Sequence, residues 1–364
     1  MGGVVEISRR TVVGFSLAAL AGLPQRLAAG AGFPTVPTVA SLDLSVVVDN
    51  FANVFAADFE RPDILVSAPV PAADYHSTYV AEWGYSLLAR IAADSGAART
   101  VLIDFGYTSR ALLNNLGLVG IKPATIDAMV LSHGHYDHFG GLDGLLATGQ
   151  VRRGTPLFIG GEEAFCARLR GTKPGASSFG AIDRPALSTA GIKMVVSGDP
   201  QIVADGGFTT GEIPYVSSER PRVPTAMLPG QNCNRALLDP AKRDVDFVVD
   251  DAVHELGTAF NVAGRGLVVV GSCSHRGIIN TVRRAQAVSG VDRVHAIVGG
   301  FHLVPPQTKS QALETVAMMQ AINPDYIIPG HCSGDLFIGA ALQAMPDKVI
   351  RSVVGASYRF GKRS

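Results

Sequence analysis

Residues 131–141 read LSHGHYDHFGG, placing His133, His135, Asp137 and His138 within six positions directly behind the apolar run Ala128–Leu131. In extended backbone, residues two apart project to the same side, so His133 and His135 form one pair of ligand-type side chains. Asp137 and His138 follow after a turn that Gly134, Gly140 and Gly141 make easier. One ion would strain so short a segment to collect all four groups. Two ions fit better, one on the spaced histidines and one on the Asp–His pair. Imidazole with carboxylate suits zinc first, with iron(II) or manganese as alternatives. Two adjacent divalent ions lower the pKa of a shared water and make hydroxide available near neutral pH. That is the chemistry of a hydrolase.

The elements that must position these groups share a pattern. Short apolar runs end in a polar burst: VLIDFG, MVLSHGHYDH, LVVVGSCSH, AIVGGFH and YIIPGHC. Such runs read as buried strands, and their ends collect Asp104, Cys273, His275, His302, His331 and Cys332 where loops can converge on one pocket. Further strands are expected over 42–50, in TPLFIGG, in IKMVV and in GEIPYV, with a hairpin turning at Gly264-Arg265-Gly266. SRALLNNLGL, the segment from Gly277 through Val288 and SQALETVAMMQAI show helical spacing. Residues 166–250 are rich in Gly, Pro and Ser, and long irregular loops are expected there. Alternating strands and helices predict a mixed sheet layered by helices in one domain.

At 364 residues, with 47% apolar and 17% charged content, the chain can bury a sizeable core. Lys plus Arg equals Asp plus Glu at 31 each, so no basic face is implied and nucleic acid is disfavoured as a partner. A small-molecule substrate is expected. The N-terminus differs from the rest: Arg9-Arg10, an apolar stretch from Val12 to Leu23, then Ala29-Gly30-Ala31. It resembles a twin-arginine export signal over residues 1–31, cleaved to leave a catalytic domain over 36–364 in the periplasm or outside the cell. The apolar stretch is too short to span a bilayer, and no later segment is long enough. The four cysteines, Cys166, Cys233, Cys273 and Cys332, form no C-x-x-C pair, so the chain does not read as stapled. Trp83 reads as a core residue, and His76, His254 and His295 as structural histidines. Glu212, Asp250 and Asp251 are equally compatible with pocket and surface.

His133-x-His135-x-Asp137-His138 resembles the hallmark of the metallo-β-lactamase superfamily. AEWGYSLL, VLIDFG, TIDAMVLSHGHYDHFGGL, GEIP, GLVVVGSCSHRGI, GGFHL and IIPGHCSG, in that order, resemble the subgroup named for dihydropterin–ribofuranosyl-aminobenzene-phosphate synthase. The resemblance implies an αββα sandwich, two mixed β-sheets flanked by helices, with a binuclear metal site along one edge. It implies metal ligation by His133, His135, Asp137, His138, His275 and His331, with His275 completing the first site and His331 the second. Asp137 would also hydrogen-bond and direct the attacking hydroxide, and Asp104 would brace the histidine loop. His302 would orient substrate or act as a ligand. Cys273 stands near the place where the superfamily's bridging aspartate is expected; thiolate ligation, inert burial and a disulfide to Cys332 all remain open. The implied activity is hydrolysis of an ester, lactone, thioester, amide or phosphodiester. The alternatives are an iron-containing redox or sulfur-handling protein on the same fold, and a non-catalytic binding protein.

Overall fold

The strand Gly266–Gly271, GLVVVG, shows how the layers arise. Side chains alternate between the two faces of a strand. Val268 and Val270 enter one apolar cluster, while Leu267 and Val269 enter another. Being buried on both faces, such strands read as continuous apolar runs rather than alternating ones.

In the computed structural model, which describes residues 33–70, 76–92, 98–220 and 223–361, two large mixed sheets carry this pattern. The candidate export signal over 1–31 lies outside the described residues. One sheet has nine strands, ordered Lys193–Val196, Pro156–Ile159, Ala128–Leu131, Arg99–Ile103, Ser86–Ala92, Ser41–Val48, Ser357–Gly361, Ile64–Ser67 and Phe59–Arg61. The other has seven, running from Ile202–Val203 through Gly207–Thr209, Thr258–Val262, Gly266–Gly271 and Val294–Gly299 to Tyr326–Pro329, with Thr38–Val39 pairing Thr258–Val262. The strands Gly266–Gly271, Val294–Gly299 and Tyr326–Pro329 are parallel, as are Arg99–Ile103, Ala128–Leu131 and Pro156–Ile159. The ends that carry the polar bursts therefore lie on one edge of each sheet.

Leu42, Leu44, Val46, Leu87 and Val130 of the nine-stranded sheet meet Phe260, Val268, Val298 and Ile328 of the seven-stranded one in a shared cluster between the layers. The outer face of the seven-stranded sheet is covered by the helices Ile278–Ser289, Lys309–Ile322 and Asp335–Ala344, which contribute Val282, Met319 and Phe337. The helices Ser109–Leu118, Leu142–Ala147 and Arg184–Thr189 cover the other sheet with Leu112, Leu145 and Leu187. The architecture is an αββα sandwich of the metallo-β-lactamase type. Phe260 is fully buried between the sheets, and truncating it to alanine would cost about 3–5 kcal/mol.

Helix starts follow local chemistry. Thr108 accepts a hydrogen bond from the Ala111 amide, and Thr308 with Gln311 forms a capping box at Lys309–Ile322. Glu82 ties the first of these helices to the pocket rim, accepting from the amides of Tyr107 and Thr108 and from the Thr108 hydroxyl.

Residues 166–250 depart from the expected irregular loops. Ser178–Gly180, Ala167–Arg170, Thr225–Leu228 and Val248–Val249 form a small four-stranded sheet. It is pinned by a Cys166–Cys233 disulfide and a local cluster of Cys166, Met227 and Leu238. Strands of two to four residues are too short to show a period, and two cysteines 67 positions apart have no spacing signature. The chain is stapled after all. GEIPYV is no strand: Gly211 turns at φ +62° against the backbone of Gly198–Pro200, and Pro214 has no amide to donate.

Candidate metal centre

The apolar strand Ala128–Leu131 ends at Ser132, and His133 to His138 then turn into a short helix, Tyr136–Phe139. The chain approaches its neighbours closely here. A Cβ on Gly134 would stand 2.3 Å from the Ala164 carbonyl oxygen and 2.6 Å from the Arg168 guanidinium, so only glycine fits. The three histidines and Asp137 are all buried.

Two ligand groups result. Ligand atoms of His133, His135 and His275 lie within 4.8 Å of one another, and so do those of Asp137, His138 and His331. In the second group His138 Nε2 stands 3.3 Å from His331 Nε2, and Asp137 Oδ2 lies 4.0 Å from His138 Nε2 and 3.5 Å from His331 Nε2. Two ligands on tetrahedral zinc with bonds near 2.05 Å are about 3.3 Å apart. His133 Nε2, both ring nitrogens of His275 and His331 Nδ1 are buried without a hydrogen-bond partner. Buried polar atoms are rarely left so, and divalent cations would satisfy His133 Nε2 and one nitrogen of the His275 ring. The donor set therefore fits the metals the fold family implies.

Three histidines have their ring orientation fixed by partners outside the cluster. His138 Nδ1 donates to Asp104 Oδ2 at 2.8 Å. Ser132 Oγ donates to the same oxygen at 2.7 Å, and lies 3.0 Å from His133 Nδ1, from which it accepts. Both rings thus direct Nε2 into the cluster. His135 Nε2 lies 3.0 Å from Thr225 Oγ1, with Asp250 Oδ2 3.6 Å away, which leaves Nδ1 as its ligand atom. This is how metal-binding histidines are oriented and made more basic.

The loops that carry His133, His331 and His275 each have their own buried carboxylate. Asp104 accepts from the Ser132 amide at 2.7 Å, Asp49 from the His331 amide at 2.9 Å, and Glu255 from the amides of His275 and Arg276 at 2.8 and 2.6 Å. These bonds hold unusual backbone in place. Asp104, Ser274 and His331 have φ of 57°, 61° and 45°, a region that costs a non-glycine residue about 1–3 kcal/mol.

Electrostatics favour neutral imidazole around the first group and positive charge in the second. Burial lowers His135, and burial with neighbouring imidazoles pushes His133 and His275 well below the ordinary histidine value. Burial also opposes charge on His138, but Asp104 and Asp137 override it and raise the ring to about 9. Burial alone would raise Asp250; the Arg168 guanidinium, 2.5 Å away, instead holds it well below the usual carboxylate range.

Of the residues expected at the site, the structure brings together His133, His135, Asp137, His138, His275 and His331, with Asp104 behind them. His302 and Cys273 line the same cavity. Cys273 and Cys332 are both free thiols, which removes the disulfide between them. Trp83 is no core residue: it is 46% exposed at the pocket rim, its ring 5.1 Å from that of His331. Glu212 is exposed, whereas Asp250 backs His135. His254 is structural, accepting from the Gly134 amide at 3.1 Å, and His295 pairs with Asp325 away from the site. Asp49, Glu255, Thr225 and Arg168 were not foreseen. Asp49 alone carried a signal, since SVVVDN repeats the strand-then-acid pattern of VLIDFG.

Residues 84–209 match the metallo-beta-lactamase superfamily model. The chain is 30% identical over 268 residues to the 7,8-dihydropterin-6-methyl-4-(beta-D-ribofuranosyl)-aminobenzene-5'-phosphate synthase of Methanocaldococcus jannaschii, covering 72% of this chain and 84% of the relative. It is 27% identical to an uncharacterized protein of the same organism, covering 71% of this chain and 87% of that one. Among solved structures, a metal-dependent hydrolase of the β-lactamase superfamily aligns with a TM-score of 0.63 at 21% identity, over 87% of this chain and 98% of the other. With two ligand groups at one edge of an αββα sandwich, and a relative of this identity and coverage, the chain belongs to the metallo-β-lactamase superfamily.

Proposed function

We propose that this protein is an exported, binuclear metal-dependent hydrolase acting on a small molecule. The observation that carries the reading is the pair of ligand groups, His133/His135/His275 and Asp137/His138/His331, opening on one cavity of about 440 Å³. Two divalent ions there, zinc in the first instance, would supply hydroxide at neutral pH and polarise the scissile bond. The chain's own residues do the rest. Asp137 would offer one carboxylate oxygen as a ligand, and its other oxygen would accept a hydrogen bond from the attacking water and orient it. Trp83, Tyr136 and Phe179 give the cavity aromatic walls that suit an apolar or planar substrate body. Arg170, stacked 4.5 Å over the Tyr136 ring at the same cavity, suits a single anionic group.

The bond cleaved is an ester, lactone, thioester, amide or phosphodiester. The related archaeal protein is named as a synthase, so product analysis must look for group transfer as well as hydrolysis. The test is metal analysis of the purified protein together with a panel of chromogenic esters, lactones and phosphodiesters. Two equivalents of metal and turnover of one class are expected. His133→Ala and Asp137→Ala should each abolish turnover while circular dichroism stays unchanged. Either variant retaining two metals and full activity would sink the binuclear reading.

A further inference from the structure

A third set of ligating atoms lies beside the two groups described above, and the hydrolase reading does not use it. Cys273, His302 and Cys332 come from three successive strand ends, after Gly266–Gly271, Val294–Gly299 and Tyr326–Pro329. All three are buried and line the cavity wall. Cys273 Sγ lies 3.2 Å from Cys332 Sγ and 3.5 Å from His302 Nδ1, and the three ligand atoms fall within 4.8 Å of one another. The approach depends on a missing side chain: a Cβ on Gly300 would stand 2.8 Å from Cys332 Sγ and 2.5 Å from the Ser272 carbonyl oxygen.

From this geometry we infer that Cys273, His302 and Cys332 form a separate thiolate-rich site for a soft metal ion, Zn(II) or a metal of similar affinity for sulfur, in the cavity wall. On tetrahedral zinc, sulfur and nitrogen ligands stand about 3.5 Å apart and two sulfurs about 3.8 Å. The sulfur–nitrogen distance already matches, and the sulfurs need to separate by about half an ångström. Softness separates the sites: the other groups offer nitrogen and oxygen, this one two sulfurs. The structure also closes Cys166–Cys233 as a disulfide while leaving Cys273 and Cys332 unbonded.

Cys332 and His302 belong to this set alone, whereas Cys273 also approaches His133 and His138. The test is therefore Cobalt(II) substitution of the full-length wild type, Cys332→Ser and His302→Asn. The wild type should bind about one equivalent more than Cys332→Ser and show a near-ultraviolet thiolate-to-cobalt band. That band should disappear in Cys332→Ser and weaken in His302→Asn, while visible cobalt absorption from the histidine groups persists. A second measurement needs no variant: alkylation of Cys273 and Cys332 under native conditions, read by peptide mass, should accelerate at least tenfold when metal is removed by chelation. Equal stoichiometry, no thiolate band, alkylation indifferent to chelation, or a Cys273–Cys332 disulfide in anaerobically purified protein would each overturn the site. The hydrolase reading fails separately, through a stoichiometry of one cobalt per chain with the thiolate band intact.

Discussion

Asp104 receives, directly or through Ser132, the Nδ1 hydrogens of both His138 and His133. One buried carboxylate thus orients a ligand ring in each of the two groups. Asp104→Asn removes the negative charge and turns an NH2 group either toward the Ser132 amide or toward the Ser132 hydroxyl and His138 Nδ1, all of which donate to the carboxylate. We expect metal affinity to fall by about 10- to 100-fold with the fold retained, because outer partners of metal-binding histidines have effects of that size. Competition with a chromogenic chelator measures it. Affinity equal to wild type would mean that the rings are held by packing alone. Asp49 and Glu255 act one step further back, gripping the loop backbone rather than a ring, so they set where His331 and His275 stand.

At the scale of elements, the helix Ile278–Ser289 starts directly behind the His275 loop, and Glu219 accepts from its Ile279 amide at 2.8 Å and from the Thr315 hydroxyl of the next helix at 3.0 Å. Burial raises this carboxyl to about 7, against the hydrogen bonds that favour its charge. A carboxyl whose folded pKa lies above its unfolded value of 4.5 stabilises the fold fully below pH 4.5 and loses that contribution as pH rises through 7. The difference amounts to roughly 3 kcal/mol. Glu219→Gln removes the titration. Denaturant midpoints measured from pH 4.5 to 8 should fall for the wild type relative to the variant, and parallel curves would show that Glu219 keeps an ordinary pKa.

For the whole molecule, the Cys166–Cys233 disulfide secures the small sheet whose Thr225, Arg168 and Asp250 back His135. Opening it, by reduction or as Cys166→Ser with Cys233→Ser, should cost about 2–4 kcal/mol in urea unfolding. Metal affinity should fall with it, since the support of one ligand loosens. Unchanged metal binding in the double variant would make the disulfide a purely global brace. Such a bond also accords with an oxidising compartment. Among the described residues no helix is long and apolar enough to cross a membrane. The proposed export is tested at the paired arginines: Arg9→Lys with Arg10→Lys should leave uncleaved precursor in the cytoplasm. Normal processing of that variant would assign the segment to another route.

Adjacent chemistry was legible in the chain itself. His133, His135, Asp137 and His138 are so close in sequence that local backbone geometry alone groups them, and the apolar runs before them announce buried strands by composition. His275, His302 and His331 could be picked out because each closes such a run. Which of them meet was decided by parallel strand register, Val270 beside Val298 and Val298 beside Ile328, which sets the strand ends side by side. Other contacts had no local trace. Trp83 reaches the rim because its neighbour Gly84 lies against the Tyr107 amide, and Asp250 reaches His135 because buried Arg168 draws it in. Cys166 found Cys233, and not Cys273 or Cys332, because the short strands of the third sheet bring those two together. Pairings across tens or hundreds of residues depend on how sheets stack and loops close, and composition and periodicity carry no record of either.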